Sequence, residues 1–107
     1  MPDNPQKQDK NLNEYRPPLQ MNNEKLRFPV TFRLKAVMTT GQNDWENRKQ
    51  LVGVFDKLKI GYLYQSKNRS SKGSYVSFTY EITLNDRETM HRLYALLKEI
   101  DNLKFAL

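Results

Sequence analysis

Cysteine is absent from this sequence, and histidine occurs once, at His91. The first absence removes any disulfide frame, thiolate nucleophile or cysteine-ligated metal, and it fits a reducing compartment. Together the two leave a transition-metal site almost no ligands to draw on. Long hydrophobic runs are missing as well: no stretch approaches the roughly 18 to 20 apolar residues of a membrane span, and the first twenty residues lack the apolar core of a signal peptide. These absences lead us to expect a cytoplasmic protein with no membrane contact. Acidic residues are missing locally, with none from Lys57 through Tyr80, where Lys57, Lys59, Lys67, Arg69 and Lys72 are all basic.

What is present divides near residue 25. Residues 1–25 hold only five apolar side chains (Met1, Leu12, Tyr15, Leu19 and Met21) and most of the prolines, too few apolar groups to offset the entropy of ordering them. They read as a disordered polar tail. The tail's charges cancel, so the whole net charge of +6 belongs to residues 26–107. A chain of 107 residues has room for one domain with a small core.

Residues 26–107 carry clear periodicities. Phe28, Val30, Phe32, Leu34, Ala36 and Met38 alternate with Thr31, Arg33 and Lys35, the period of two of a half-buried strand. Asn43 with Glu46 then forms a capping-box signal for a helix over about 44–58, with Trp45, Leu51, Val52, Phe55 and Leu58 expected on its buried side. Strand-like segments follow at about 60–67 and 74–84. In the second, Val76, Phe78, Tyr80, Ile82 and Leu84 share one face, and Tyr75, Ser77, Thr79, Glu81 and Thr83 share the other. Asn85 with Glu88 repeats the capping signal before a second helix carrying Met90, Leu93, Tyr94, Leu97 and Ile100. A last strand alternates Leu103, Phe105 and Leu107 against Lys104 and Ala106. The order β-α-β-β-α-β specifies an α+β, ferredoxin-like fold: a four-stranded antiparallel sheet with two helices on one face and the other face free.

Groups for catalysis are scarce. His91 lies opposite the apolar stripe of its helix, and the acidic pairs Asp44 with Glu46 and Asp86 with Glu88 are explained by capping and the helix dipole. We therefore expect no enzyme activity, no cofactor and no metal. The basic run is more informative, because Lys67, Arg69, Ser70, Ser71, Lys72, Gly73 and Tyr75 would place positive charge and an aromatic ring around one hairpin. That is a candidate docking patch for an acidic partner protein, although lysines on an edge strand also discourage unwanted pairing. RNA-recognition motifs share this element order, and Lys72-Gly73 leading to Tyr75-Val76-Ser77-Phe78 is similar to their strand-three signature. The match is one residue short and offers one open-face aromatic where base stacking needs two or three, unless Tyr62 and Tyr64 point outward. A phosphate cradle needs a glycine-rich loop between strand and helix, whereas Gly73 sits between two strands and suits a hairpin turn.

The motif Ser70-Ser71-Lys72-Gly73-x-Tyr75-x-Ser77 resembles the signature of the YbeD-like proteins, small bacterial proteins of uncharacterised function. Phe28-Pro29 and Leu93-Tyr94 followed by Leu97 and Ile100-Asp101 are similar too. The resemblance covers residues 26–107 and implies an ACT-like version of the ferredoxin fold, akin to regulatory domains that sense small ligands or pair subunits. On that likeness a small-metabolite loop would lie at Thr39, Thr40, Gly41, Gln42 and Asn43, though Gly41 also serves a turn. The expectation is a non-enzymatic regulatory or adaptor domain working through protein contacts or self-association as a dimer. The alternatives are a small-metabolite sensor and an RNA-binding domain.

Overall fold

The computed structural model of the chain describes residues 26–107; the expected disordered tail falls on residues 1–25 and lies outside the described residues. The elements run β1 (Val30–Thr39), α1 (Asp44–Lys57), β2 (Gly61–Arg69), β3 (Tyr75–Leu84), α2 (Arg87–Lys98) and β4 (Leu103–Ala106). They form one four-stranded sheet of order β2-β3-β1-β4 in which every neighbouring pair is antiparallel. This is the ferredoxin-like arrangement.

The central pair follows from strict alternation. Leu34, Ala36 and Met38 of β1 stand opposite Tyr80, Phe78 and Val76 of β3, and all six are buried. Leu51 and Phe55 of α1 and Met90, Leu93, Tyr94 and Leu97 of α2 complete the same core, so both helices cover one face. The opposite face of the central pair presents Thr31, Arg33, Lys35 and Val37 against Thr83, Glu81, Thr79 and Ser77. Burial of the alternate positions of β1 and β3 therefore leaves one face packed and one open.

Local signals explain the helix ends, with two corrections. Asn43 caps α1 as expected, its Oδ1 accepting the Glu46 N–H at 2.8 Å. The expected Asn85–Glu88 box is not the cap of α2: the next residue, Asp86, takes the N-cap and accepts the Thr89 N–H at 2.7 Å. Two adjacent residues there are both good cappers, and the one whose oxygen meets the third N–H of the helix prevails. Trp45, expected in the core, is 64% exposed, because Asn47, Leu51 and Phe55 define the buried stripe of α1 and Trp45 falls outside it. Its ring instead lies under the Lys49 ammonium, 4.8 Å from the centroid. At the other end of α1, Lys59 takes a left-handed conformation (φ 58°). Its N–H donates to Asp56 O, and the Ile60 N–H donates to Phe55 O. That pattern closes the helix and buries Ile60 as the chain turns into β2.

Candidate functional site

Both edge strands depart from simple alternation, and those departures decide which side chains reach each face. In β2 the ladder to β3 pairs Tyr64 with Tyr80 and then Ser66 with Thr79, leaving Gln65 as an extra residue. A bulge of this kind moves every following side chain to the other face. Lys67 and Arg69 consequently stand opposite Phe78 and Val76, on the helix side. There they meet Asp44 in the first turn of α1: Lys67 Nζ lies 2.6 Å from Asp44 Oδ2, and Arg69 donates to both carboxylate oxygens at 3.0 and 3.1 Å. The Lys67 bond, with Arg69 assisting, holds the Asp44 carboxyl below the ordinary aspartate range against the opposing effect of its partial burial.

The same face of β2 settles the orientation of its tyrosines. Tyr62 packs 5.4 Å from the Phe55 ring, and Tyr64 packs 5.4 Å from the Tyr80 ring. Arg48 stacks its guanidinium 3.7 Å over Tyr64 and donates from Nε to the Tyr80 hydroxyl at 3.1 Å. That bond favours the charged guanidinium and raises its pKa. Tyr62 and Tyr64 thus belong to an aromatic seam between α1 and the β2 edge and are withheld from the open face.

In β4 the extra residue is Lys104. Leu103 pairs with Met38 and Phe105 pairs with Val37, so Leu103 turns to the core side while Phe105 turns to the open face. Ala106 is then buried against Ala36, and Leu107 joins Lys35 by a reciprocal pair of backbone hydrogen bonds at 2.9 and 3.0 Å. Strict alternation groups Leu103, Phe105 and Leu107 on one face; the bulge turns Leu103 to the core and leaves Phe105 and Leu107 on the open side. Phe105 is 39% exposed, Leu107 47% and Tyr75 39%. The Lys104 ammonium reaches the Tyr75 ring, 6.0 Å from its centroid.

The residues of the expected hairpin patch are therefore divided. Lys67 and Arg69 are engaged by Asp44 on one side, and Tyr75 stands opposite Thr39 on the other. Ser70 serves the turn itself: its backbone N–H donates to Tyr75 O, its hydroxyl accepts the Tyr75 N–H, and its carbonyl accepts the Gly73 N–H. Gly73 adopts φ 77°, the conformation that makes glycine the fitting residue there. Ser71 and Lys72 are exposed at the tip.

The expected ligand loop is a joint between β1, α1 and β4. Thr39 O accepts from the buried Asn47 side chain at 3.2 Å and from Asn102 at 3.4 Å, and Asn102 also donates to Asn47 Oδ1 at 2.7 Å. Thr40 donates its hydroxyl to Gly73 O, Gln42 accepts from Gln50, and Asn43 is the cap described above. Gly41 has open space where a side chain would project. His91 is exposed on α2, and among the described residues no three His, Cys, Asp or Glu side chains gather as a metal site requires. No helix among the described residues is long and apolar enough to cross a membrane.

Fold and geometry together define a ferredoxin-like α+β domain with one helix-covered and one open sheet face. The chain belongs to the family described as "Protein of unknown function (DUF493)", which matches residues 23–107 and is the YbeD-like family that the strand-three motif resembles. A UPF0250 protein of Shewanella piezotolerans is 32% identical over 81 residues, spanning 76% of this chain and 89% of that one. The solution structure of protein HP0495 from H. pylori superposes with a TM-score of 0.63 at 14% identity, over 86% of this chain and 96% of that chain. At that identity the likeness concerns the fold.

Proposed function

We propose that the domain is a non-enzymatic regulatory or adaptor module that acts through protein contacts on its open sheet face. The observation that carries this reading is the character of that face. Four of the six exposed large hydrophobics among the described residues, Tyr75, Phe105, Leu107 and Leu63 of β2, lie on it, while Trp45 and Tyr62 lie on the helix side at the rim of the core. Exposed large apolar groups collected on one side of a small domain are what a partner surface requires. Of the hairpin patch, Tyr75 is the member on this face: Asp44 holds Lys67 and Arg69, and Lys72 lies at the exposed tip of the turn. The metabolite-sensor alternative draws less support, because Thr39 O, the Thr40 hydroxyl, Gln42 Oε1 and Asn43 Oδ1 are taken up by internal partners.

The test is co-purification of the full chain from a nuclease-treated lysate of its source cells, with the mass of the product measured by light scattering. A stoichiometric complex with another protein is the expected result. A chain recovered alone, or one that loses its companion on nuclease treatment, contradicts the adaptor reading.

A further inference from the structure

Resting on the adaptor reading, we infer that one corner of the open face is the docking surface, and that its partner is an acidic segment of another protein bearing an apolar anchor. The corner consists of Val37, Tyr75, Phe105 and Leu107, flanked by Lys35 and Lys104. Its apolar part is built by the β4 bulge, which turns Phe105 outward opposite Val37 and, one pair on, sets Leu107 beside Lys35.

The charges around it choose the occupant. Arg33, Lys35 and Lys104 stand on or beside the open face, and none of them makes an ion pair among the described residues. The one carboxylate on the open side of the central strands, Glu81, stands opposite Arg33, one same-face pair beyond Lys35. A second copy docked face to face would bring these cations against their own counterparts, at a cost in electrostatic energy. The chain's own residues 1–25 carry no net charge to be attracted. Lys35 and Lys104 beside Val37, Leu107 and the Tyr75 and Phe105 rings suit a carboxylate-bearing apolar segment better than a nucleic acid, because two cations fall short of the longer run of phosphate contacts that a nucleic acid binds through, and the two rings are the minimum of a stacking platform.

Selection of random displayed dodecapeptides on the immobilised full chain, with counter-selection on Phe105→Ser, tests this directly. Enriched peptides should be acidic with Phe or Leu among the carboxylates. Synthesised and titrated, they should lose at least about tenfold in affinity to Phe105→Ser and to Lys104→Glu, as expected for a central anchor and its flanking charge. Binding should also weaken with added salt, while both variants keep the wild-type thermal midpoint. Peptides that bind both variants as well as wild type, peptides rich in Lys or Arg, or no enrichment at all would overturn the proposed corner. A decauridylate that binds wild type more tightly than the peptides, and loses affinity on Phe105→Ser, would reassign the corner to single-stranded nucleic acid. Failure of this kind leaves the adaptor reading standing wherever co-purification still yields a protein complex; loss of both results removes both.

Discussion

The β2 and β4 edges bound the same sheet, and each carries one residue more than its neighbour's ladder accommodates. At β2 the extra Gln65 turns Lys67 and Arg69 inward, where Asp44 takes both charges and the aromatic seam of Tyr62, Tyr64, Tyr80 and Phe55 binds the edge to α1. At β4 the extra Lys104 turns Phe105 outward and leaves it exposed, with small Ala106 on the core side. One edge thus spends its cations and aromatic rings on internal structure, and the other presents them to solvent. The difference teaches that the positive charge so visible in the sequence near the hairpin is partly structural, whereas exposed rings and cations that make no ion pair among the described residues lie across the sheet.

The largest effect should come from the β2 side. Tyr80→Ala empties the centre of the seam and should cost about 3–5 kcal/mol in denaturant unfolding, as for other large buried aromatics. Phe105→Ala on the other edge should cost less than about 1 kcal/mol by the same measurement. A larger loss from Phe105 would break the comparison. Next comes the joint leading into β4, where Asn47→Ala leaves Asn102 and the Thr39 carbonyl short of partners; about 1–3 kcal/mol is expected.

Asp44→Ala should cost about 1 kcal/mol at neutral pH. Its pairs are limited because the Lys67 and Arg69 side chains are about half exposed, to which a first-turn dipole contribution is added. The folded Asp44 carboxyl is held below its unfolded value. The stabilisation is therefore complete above the ordinary aspartate range and is lost as pH falls through the lower folded value. Stability measured against pH should accordingly show a shallower acid limb in Asp44→Asn than in wild type. The smallest effect belongs to the bulges themselves. Deleting Gln65 restores a regular ladder with Lys67 and Arg69 still facing α1, so stability should change by less than about 1 kcal/mol. Nuclear magnetic resonance should then still find the Asp44 carboxyl titrating low; an ordinary value would mean the strand had slipped.

Much of the fold was legible. The alternation of Leu34, Ala36 and Met38 against Phe78, Tyr80 and Ile82, the Asn43 cap and the two helical stripes sufficed for element order, sheet type and the free face. What escaped was local. A single extra residue inverts all later positions of a strand, and neither Gln65 nor Lys104 carries a chemical mark of being one. For that reason Phe105 was grouped with Leu103, which the structure turns to the opposite face; the direction of Tyr62 and Tyr64 stayed open because their short segment shows no apolar alternation that names its buried side. The clamp was hidden for a different reason: Asp44 lies 23 residues before Lys67, so a charge run counted along the chain shows no partner. Buried Asn47 and half-buried Asn102 had no periodic signature at all, because their role comes from the meeting of α1 with the entry to β4.

The central claim is that contact with a partner is made across the open face and not at the hairpin. Its most direct test compares two folded charge reversals of the full chain as baits in nuclease-treated lysate, Lys35/Lys104→Glu and Lys67/Arg69/Lys72→Glu, and measures the protein each retains. The account predicts that the hairpin variant keeps the wild-type partner in near-wild-type amount while the open-face variant loses it. Retention by the open-face variant together with loss by the hairpin variant would contradict it.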